Sequence, residues 1–248
     1  MSEIQVAPAP WKLTCRSWIF LLSPLSKSAS FPAGFSAPNE ADIMTTGGEF
    51  IGGPGQIQLV SYTDSPVGPY DELIYVPGRW KYANGNVGFR ITRIYVSSKE
   101  STANGRRNWN IPKQVADFDY SPGTNGTTNF SVTLPGSSTP FFKASIKPIP
   151  ILSSISIPAT TTILGSYSKL IQPPLPAGDK PEEVSTTQWA ELVPIMKGSV
   201  RMVSVVPGFE GGKVGDSIAF PAVQPWGVGT AMEGVDVDFG VSTFYDSL

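Results

Sequence analysis

The chain has 248 residues, of which 40% are hydrophobic and 15% are charged, and its formal net charge at pH 7 is -2. A chain of this length and apolar content can bury a sizeable core as one domain. Its weak charge excludes the electrostatic attraction that a nucleic acid or an anionic membrane surface requires. We therefore expect a single domain over residues 1–248, with no nucleic-acid partner and no membrane partner.

Histidine is absent, and Cys15 is the one cysteine. These absences exclude Ser-His-Asp and Cys-His nucleophiles, the usual zinc sites and an intramolecular disulfide. We expect no metal and no cofactor, because no motif for either is present. The N-terminal apolar run at residues 18–22 is too short for a signal peptide or a membrane span. Together with the single cysteine, this favours a reducing, cytoplasmic location.

The 25 glycines and 24 prolines recur along the whole chain, as is typical of many short strands joined by tight turns. Residues 1–10 are interpreted as a loose N-terminal arm. Aromatic and β-branched residues predict a first strand from Lys12. The next predicted strand lies in "GGEFIGGPGQIQLVSY", where residues 57, 59 and 61 share one face and residues 56, 58 and 60 share the other.

Paired strands are predicted in "DELIYVPGRW" and "GFRITRIYVSS", because the Asn84-Gly85 sequence between them is a strong hairpin signal. The clearest helix is "SSKESTANGRRNW", with Ser97 or Ser98 as its N-cap and Pro112 beyond its end. Further strands are predicted in "VADFDY", "TNFSVTL", "PFFKASIKP", "SVRMVSVVPG" and "TAMEGVDVDFGV". The Pro-rich stretch at residues 170–189 is interpreted as a surface loop.

A lysine in "GRRNWNIPKQ" raises the question of a reactive amine. In extended geometry Lys113, Val115, Asp117 and Asp119 share one face of a strand. Lys113 would then point either to solvent or into an internal polar cavity, and periodicity does not choose between the two. Lysines are seldom buried, so a solvated side chain is the simpler interpretation of the pattern.

Two motifs resemble the acetoacetate decarboxylase family. "GRRNWNIPK" is similar to the Gly-Arg-…-Pro-Lys segment of the family, and "GPYDE" is similar to its Tyr-x-Glu segment. From about Lys12 to about Gly240 the chain further resembles fungal proteins described as acetoacetate-decarboxylase-like. The resemblance implies a mainly β fold with few short helices. In that fold an antiparallel β-barrel-like sheet encloses a largely apolar cavity, commonly in a homo-oligomer.

The resemblance also implies candidate site residues. Lys113 stands where the family has its Schiff-base lysine, and Glu72 stands where it has an active-site carboxylate. We add as candidate substrate-binding residues Ile57, Tyr70, Arg106, Trp109 and Gln114. Arg106 matches an arginine that follows the motif glycine, and an alternative role for it is that of an anchor for a strand or loop.

The chain departs from the decarboxylase pattern at three points. Gln114 replaces a second lysine, Ile57 replaces a further carboxylate in a gap-free alignment, and the N-terminal arginine of the family has no counterpart here. Acetoacetate decarboxylase is itself the standard example of a lysine activated by desolvation or a neighbouring cation. With Gln114 in that position, only burial or an arginine could activate Lys113, and acetoacetate is disfavoured as the substrate.

Three functions are consistent with these residues. The main hypothesis is an enzyme of fungal secondary metabolism. It would catalyse the cyclisation, isomerisation or elimination of an apolar, carbonyl-bearing substrate of polyketide or terpenoid type, through acid–base groups and the shape of the cavity. The first alternative is a Schiff-base lyase, either a decarboxylase or an aldolase-dehydratase, acting through Lys113. The second alternative is a small-molecule binding protein without catalysis.

Overall fold

The fold is that of a computed structural model, which describes residues 4–248. Its strands are β1 (Trp11–Leu25), β2 (Glu49–Asp64), β3 (Tyr70–Val76), β4 (Arg79–Lys81), β5 (Val87–Phe89), β6 (Arg93–Val96), β7 (Lys113–Val115), β8 (Asp117–Pro122), β9 (Thr128–Thr133), β10 (Pro140–Pro148), β11 (Ile157–Thr160), β12 (Leu170–Gln172), β13 (Trp189–Leu192), β14 (Ile195–Pro207), β15 (Pro225–Phe239) and β16 (Thr243–Tyr245). The α-helices are α1 (Ala41–Thr45) and α2 (Lys99–Trp109). Short 3-10 helices cover Pro38–Glu40, Thr124–Gly126, Leu152–Ser154, Thr161–Ser168 and Glu210–Gly212. Within these described residues, no helix combines the length and apolarity needed to cross a membrane.

All the strands belong to one sheet whose main path runs β16-β13-β12-β5-β4-β2-β1-β15-β14-β10-β9-β8. The pairs β5–β12 and β6–β7 are parallel, and the other pairs are antiparallel. The mainly β prediction is confirmed, but over the described residues the sheet does not close into a barrel. It branches at β2, which pairs first with β4 and then with β3.

A glycine at the branch point allows the backbones of β1 and β2 to approach closely. Gly52 has a φ of +75°, and a Cβ there would lie 2.6 Å from the carbonyl oxygen of Leu25. A side chain at this position would therefore meet both backbone strain and overlap with β1. The close approach of β1 and β2 at Gly52 allows the first part of β2 to leave β1 and turn towards β4.

The predicted hairpin and helix are both confirmed. β3 pairs with β6 and β4 pairs with β5, around a turn in which Gly85 has a φ of +84°. Helix α2 begins after Ser98, whose side chain accepts a hydrogen bond of 3.1 Å from the backbone N–H of Ser101. It ends at Trp109, because Asn110 adopts the left-handed conformation and caps the last turn. Pro112 lies just beyond that cap.

The N-terminal arm is more ordered than the sequence predicts. The backbone N–H of Ala7 donates to Oδ1 of Asn104 at 2.9 Å, and Nδ2 of Asn104 donates to the carbonyl of Gln5 at 2.8 Å. Asn108 also donates to the carbonyl of Ala7. Because side chains of α2 hold this backbone, the arm is docked rather than loose over its described part. Residues 1–3 lie outside the described residues.

The Pro-rich stretch is also only partly a surface loop. Its two ends belong to β12 and β13, and Leu175, Glu182 and Glu183 are buried within it. The stretch is held down because carbonyl oxygens along it accept hydrogen bonds from the buried side chain of Arg106.

The alternation predicted along β2 separates two cores. Ile57 and Leu59 pack into an aromatic-rich cluster on one side of the strand. Val60 and Tyr62 belong to a second cluster on the other side, which also contains Trp109. This second side faces the cavity described next, so the residue parity along β2 decides which side chains can reach a ligand.

Candidate active site

A cavity of about 310 Å³ lies beside the second cluster. Its wall is mainly apolar and includes Ile74, Ile91, Ile94, Met196 and Val237. The lining residues Leu21, Leu164 and Tyr167 are exposed and mark its mouth. Among the described lining residues, Glu72 and Lys113 are the charged ones. A cavity of this kind is typical of a small-molecule site.

Glu72 and Lys113 form a buried ion pair in this cavity. Glu72 is on β3 and Lys113 is on β7, with β6 hydrogen-bonded between them. Nζ of Lys113 lies 2.5 Å from Oε1 of Glu72 and donates to Oγ of Ser101 at 2.9 Å. The two side chains are only 4% and 5% exposed. The lysine therefore points inward and not to solvent, and the carboxylate and the hydroxyl both accept hydrogen bonds from Nζ.

Two tyrosines complete the polar end of the cavity. The hydroxyl of Tyr62 donates to Oε2 of Glu72 at 3.3 Å, and Nζ of Lys113 lies 5.1 Å from the ring centroid of Tyr70. Burial, and then the negative charge of Glu72, raises the pKa of both phenols well above the usual range. Both therefore remain protonated near neutral pH and can donate hydrogen bonds.

Cys15, which lies beside these residues, is not a reactive thiol. Burial, followed by the charge of Glu72, raises the pKa of the Cys15 thiol to about 12. A thiol acts as a nucleophile through its thiolate, which is scarce at neutral pH for such a group. Cys15 is therefore a packing residue of the neighbouring core.

A glycine in helix α2 provides the space that Lys113 occupies. A Cβ placed on Gly105 would lie 2.6 Å from Cδ and 2.7 Å from Cε of Lys113. Glycine inside a helix costs about 0.5–1 kcal/mol relative to alanine, so its position in the middle of α2 is a usable signal in the sequence. Gly105, Ser101 and Tyr62 are nevertheless not among the site residues predicted from the sequence.

Replacing Gly105 with alanine is expected to lower stability by about 1–3 kcal/mol, because the new methyl group overlaps the lysine stem in a packed site. The measurement is the free energy of unfolding from urea denaturation. The matched control is Gly227→Ala, since a Cβ at Gly227 meets no atom within 4 Å. A Gly105→Ala variant that is more stable than the wild type would contradict the steric role, because helix propensity alone predicts that gain.

The structure brings only part of the predicted set to the cavity. Lys113, Glu72, Tyr70 and Trp109 line it, and their predicted roles remain proposals. Ile57 is not among the lining residues and packs into the opposite core.

The residue next to Ile57, Gln58, faces the cavity instead. Adjacent residues of a strand point to opposite faces, so Gln58 reaches the cavity and Ile57 does not. A substitution meant to fill the cavity therefore belongs at a lining position such as Ile74 rather than at Ile57.

Arg106 and Gln114 also lie outside the cavity lining. Arg106 is fully buried and binds Oε1 of Glu40 at 2.6 Å, the carbonyl of Pro176 at 2.6 Å and the carbonyl of Val184 at 2.8 Å. Burial raises the pKa of the Glu40 carboxyl more than the guanidinium of Arg106 lowers it. These contacts correspond to the anchor role. Gln114 lies beside Tyr95 in the parallel β6–β7 pair.

The expected common face of Lys113, Asp117 and Asp119 is not present. Lys113 is buried, whereas both aspartates are exposed. The strand is interrupted at Ala116, because β7 pairs with β6 while β8 pairs with β9. Each short strand takes its orientation from its own neighbour, so the alternation does not continue across the break.

Comparison by sequence finds no matching protein-family model and no significantly similar curated protein. Comparison of structures does find similar proteins. The acetoacetate decarboxylase of Legionella pneumophila matches with a TM-score of 0.62 and 12% identity, over 97% of this chain and 88% of that one. This chain has the acetoacetate decarboxylase fold.

Two further solved structures share the fold. An acetoacetate decarboxylase-like enzyme from Sphingomonas wittichii RW1 matches with a TM-score of 0.61 and 12% identity, over 98% of this chain and 95% of that one. The enduracididine biosynthesis enzyme MppR matches with a TM-score of 0.58 and 14% identity, over 96% and 90%. MppR is complexed there with the condensation product of pyruvate and imidazole 4-carboxaldehyde. At these identities the acetoacetate decarboxylase fold is shared, and function has to be argued from the cavity.

Proposed function

We propose that this protein is an enzyme that catalyses proton transfer on a neutral, largely apolar, carbonyl-bearing substrate. The observation that carries the proposal is the buried pair of Glu72 and Lys113, which supplies the charged groups of a largely apolar cavity. Burying ionisable groups costs free energy of desolvation, and ionisable groups buried in a cavity are typical of catalytic sites. The reaction class is a cyclisation, an isomerisation or an elimination.

The two residues have complementary roles in this chemistry. A lysine ammonium has three N–H donors, and Glu72 and Ser101 occupy two of them. The third can bind the substrate carbonyl oxygen. Glu72 takes a proton from the carbon beside that carbonyl, and the electron pair of the broken C–H bond moves towards the oxygen to give an enol or enolate. Return of the proton from Glu72 to another carbon isomerises the substrate. In an elimination, the enolate electron pair forms a C=C bond as the leaving group departs from the next carbon, and Glu72 passes its proton to that group.

The lining of the cavity favours a neutral substrate over acetoacetate. No arginine is among the described lining residues, and the one lysine is already paired with Glu72. A substrate carboxylate would therefore lose its hydration without gaining a free cation. The apolar wall suits polyketide- or terpenoid-like molecules, and the resemblance to fungal proteins supports a role in secondary metabolism.

Deuterium exchange tests the proposed proton transfer without knowledge of the full reaction. A panel of neutral apolar ketones is incubated with the protein in D₂O, and deuterium at the carbon beside the carbonyl is read by mass spectrometry. We expect exchange with the wild type and a rate about 10²–10⁴-fold lower in Glu72→Gln, as for loss of a general base. The control is Glu233→Gln, since Glu233 is largely exposed on β15. Saturable ketone binding without exchange would instead indicate a binding protein.

Imine formation is the second candidate, and the inward position of Lys113 in the cavity favours it. Passage of its proton to Glu72 would leave a neutral amine, which can add to a carbonyl and lose water to give an iminium. Borohydride reduction in the presence of the same ketones and of β-keto acids tests this. A mass adduct mapped to Lys113 would establish imine chemistry, and exchange without any adduct would support acid–base catalysis by the ion pair.

A further inference from the structure

Two glutamines interrupt the apolar wall of the cavity. Gln56 and Gln58 line it from the same face of β2 as Val60 and Tyr62, and both are half-buried. Within residues 4–248, neither side-chain amide has a protein hydrogen-bond partner. Gln172 behaves differently, because its amide is fully buried and binds the backbone N–H and C=O of Ile91. A glutamine used to hold this fold together is thus satisfied by protein groups, and the two cavity glutamines are not.

The strand neighbours of these glutamines are all apolar. Gln58 lies opposite Ile19 on β1 and Ile74 on β3. Gln56 lies opposite Leu21 and Val76 in the same two pairings. A carboxamide in such surroundings has hydrogen-bonding capacity that water or a ligand oxygen in the cavity can use.

The register of β2 and β3 gives the distance of the two glutamines from Glu72. Val60 lies opposite Glu72, and Gln58 and Gln56 precede Val60 on β2 by two and four residues. With a rise of about 3.4 Å per residue, the two glutamines are about 7 Å and about 14 Å from the level of Glu72. Leu21, opposite Gln56, is exposed at the mouth, so the glutamines lie between the ion pair and the entrance.

We propose that Gln56 and Gln58 form a second recognition point, which binds a neutral oxygen of the substrate at some distance from its reacting carbonyl. This rests on the proposed function, because it places that carbonyl at Glu72 and Lys113. A carboxamide donates and accepts hydrogen bonds but carries no charge, which suits a hydroxyl, ketone or ester oxygen. The substrate class is then an apolar molecule with two oxygen functions separated by a hydrocarbon segment.

Binding of three matched probes tests the second recognition point. The probes are a straight-chain methyl ketone, the same ketone with a hydroxyl about 7–14 Å from the carbonyl, and the same ketone with a carboxylate at that place. Affinities are measured by calorimetry on the full chain. The hydroxy ketone is expected to bind about fivefold to tenfold more tightly than the plain ketone, as for one or two gained hydrogen bonds. The carboxylate probe is expected to bind most weakly.

Isosteric variants assign the preference to the glutamines. Gln56→Met and Gln58→Met, singly and together, are expected to remove the advantage of the hydroxy ketone over the plain ketone measured with the same variant. The control is Gln188→Met, since Gln188 is exposed outside the cavity lining. An advantage that survives in the double variant overturns the proposal, as does equal or absent binding of the two neutral probes by the wild type, or tightest binding of the carboxylate probe.

The outcome is separable from that of the proposed function. A preference that depends on the glutamines, in a protein that exchanges no deuterium, would leave the recognition point intact in a binding protein. Exchange that depends on Glu72, without any hydroxyl preference, would overturn the recognition point alone.

Discussion

Replacing Lys113 with methionine is expected to lower the free energy of unfolding by about 3–5 kcal/mol, because it leaves Glu72 as a buried carboxylate without its cation. The pair is 2.5 Å apart and almost fully buried, so the remaining carboxylate would be poorly solvated. The measurement is urea denaturation followed by tryptophan fluorescence. The control is Lys147→Met, since Lys147 is exposed on β10 and is expected to change stability by less than about 0.5 kcal/mol.

A double variant distinguishes the pair from the lysine alone. Lys113→Met combined with Glu72→Leu removes both charges and is expected to recover much of the stability lost in the single variant, because apolar replacement of a buried pair is often nearly neutral. The double variant should nevertheless show no deuterium exchange. A single variant as stable as the wild type would mean that the ion pair contributes little to the fold.

Replacing Arg106 with methionine is expected to cost a similar amount, about 3–5 kcal/mol, for a different reason. Its guanidinium joins Glu40 to the carbonyls of Pro176 and Val184. Its loss therefore leaves the buried carboxyl of Glu40 without its partner and removes two hydrogen bonds that hold the Pro-rich stretch. The measurement is the same urea denaturation, and the matched control is Arg107→Met, since the next residue along α2 is exposed.

Ligand binding separates an anchor from a site residue at Arg106. Because Arg106 does not line the cavity, any Arg106→Met protein that remains folded at low temperature should bind the neutral ketone probes with unchanged affinity. Full stability together with lost binding would contradict the anchor role and return Arg106 to the candidate site.

Much of the local structure could be predicted because its causes lie within a few residues. The Asn84-Gly85 turn, the Ser98 cap and the alternation along β2 each depend on backbone preferences or on side chains close in the chain. The candidate catalytic residues Glu72 and Lys113 could be predicted from the sequence as well, but only through the resemblance of two motifs and not through residue patterning. Periodicity alone leaves Lys113 between solvent and cavity.

The sequence by itself determined the mainly β character, the absence of histidine chemistry and the parity of Gln58 and Ile57 along their strand. Only the tertiary structure decided which face of β2 borders the cavity, that Glu40 pairs with Arg106 across 66 residues, and that Lys113 passes over Gly105. Parity is a local property of extended backbone, whereas the side that becomes a cavity depends on what packs against it. The partner of a buried charge depends in the same way on segments distant in the chain.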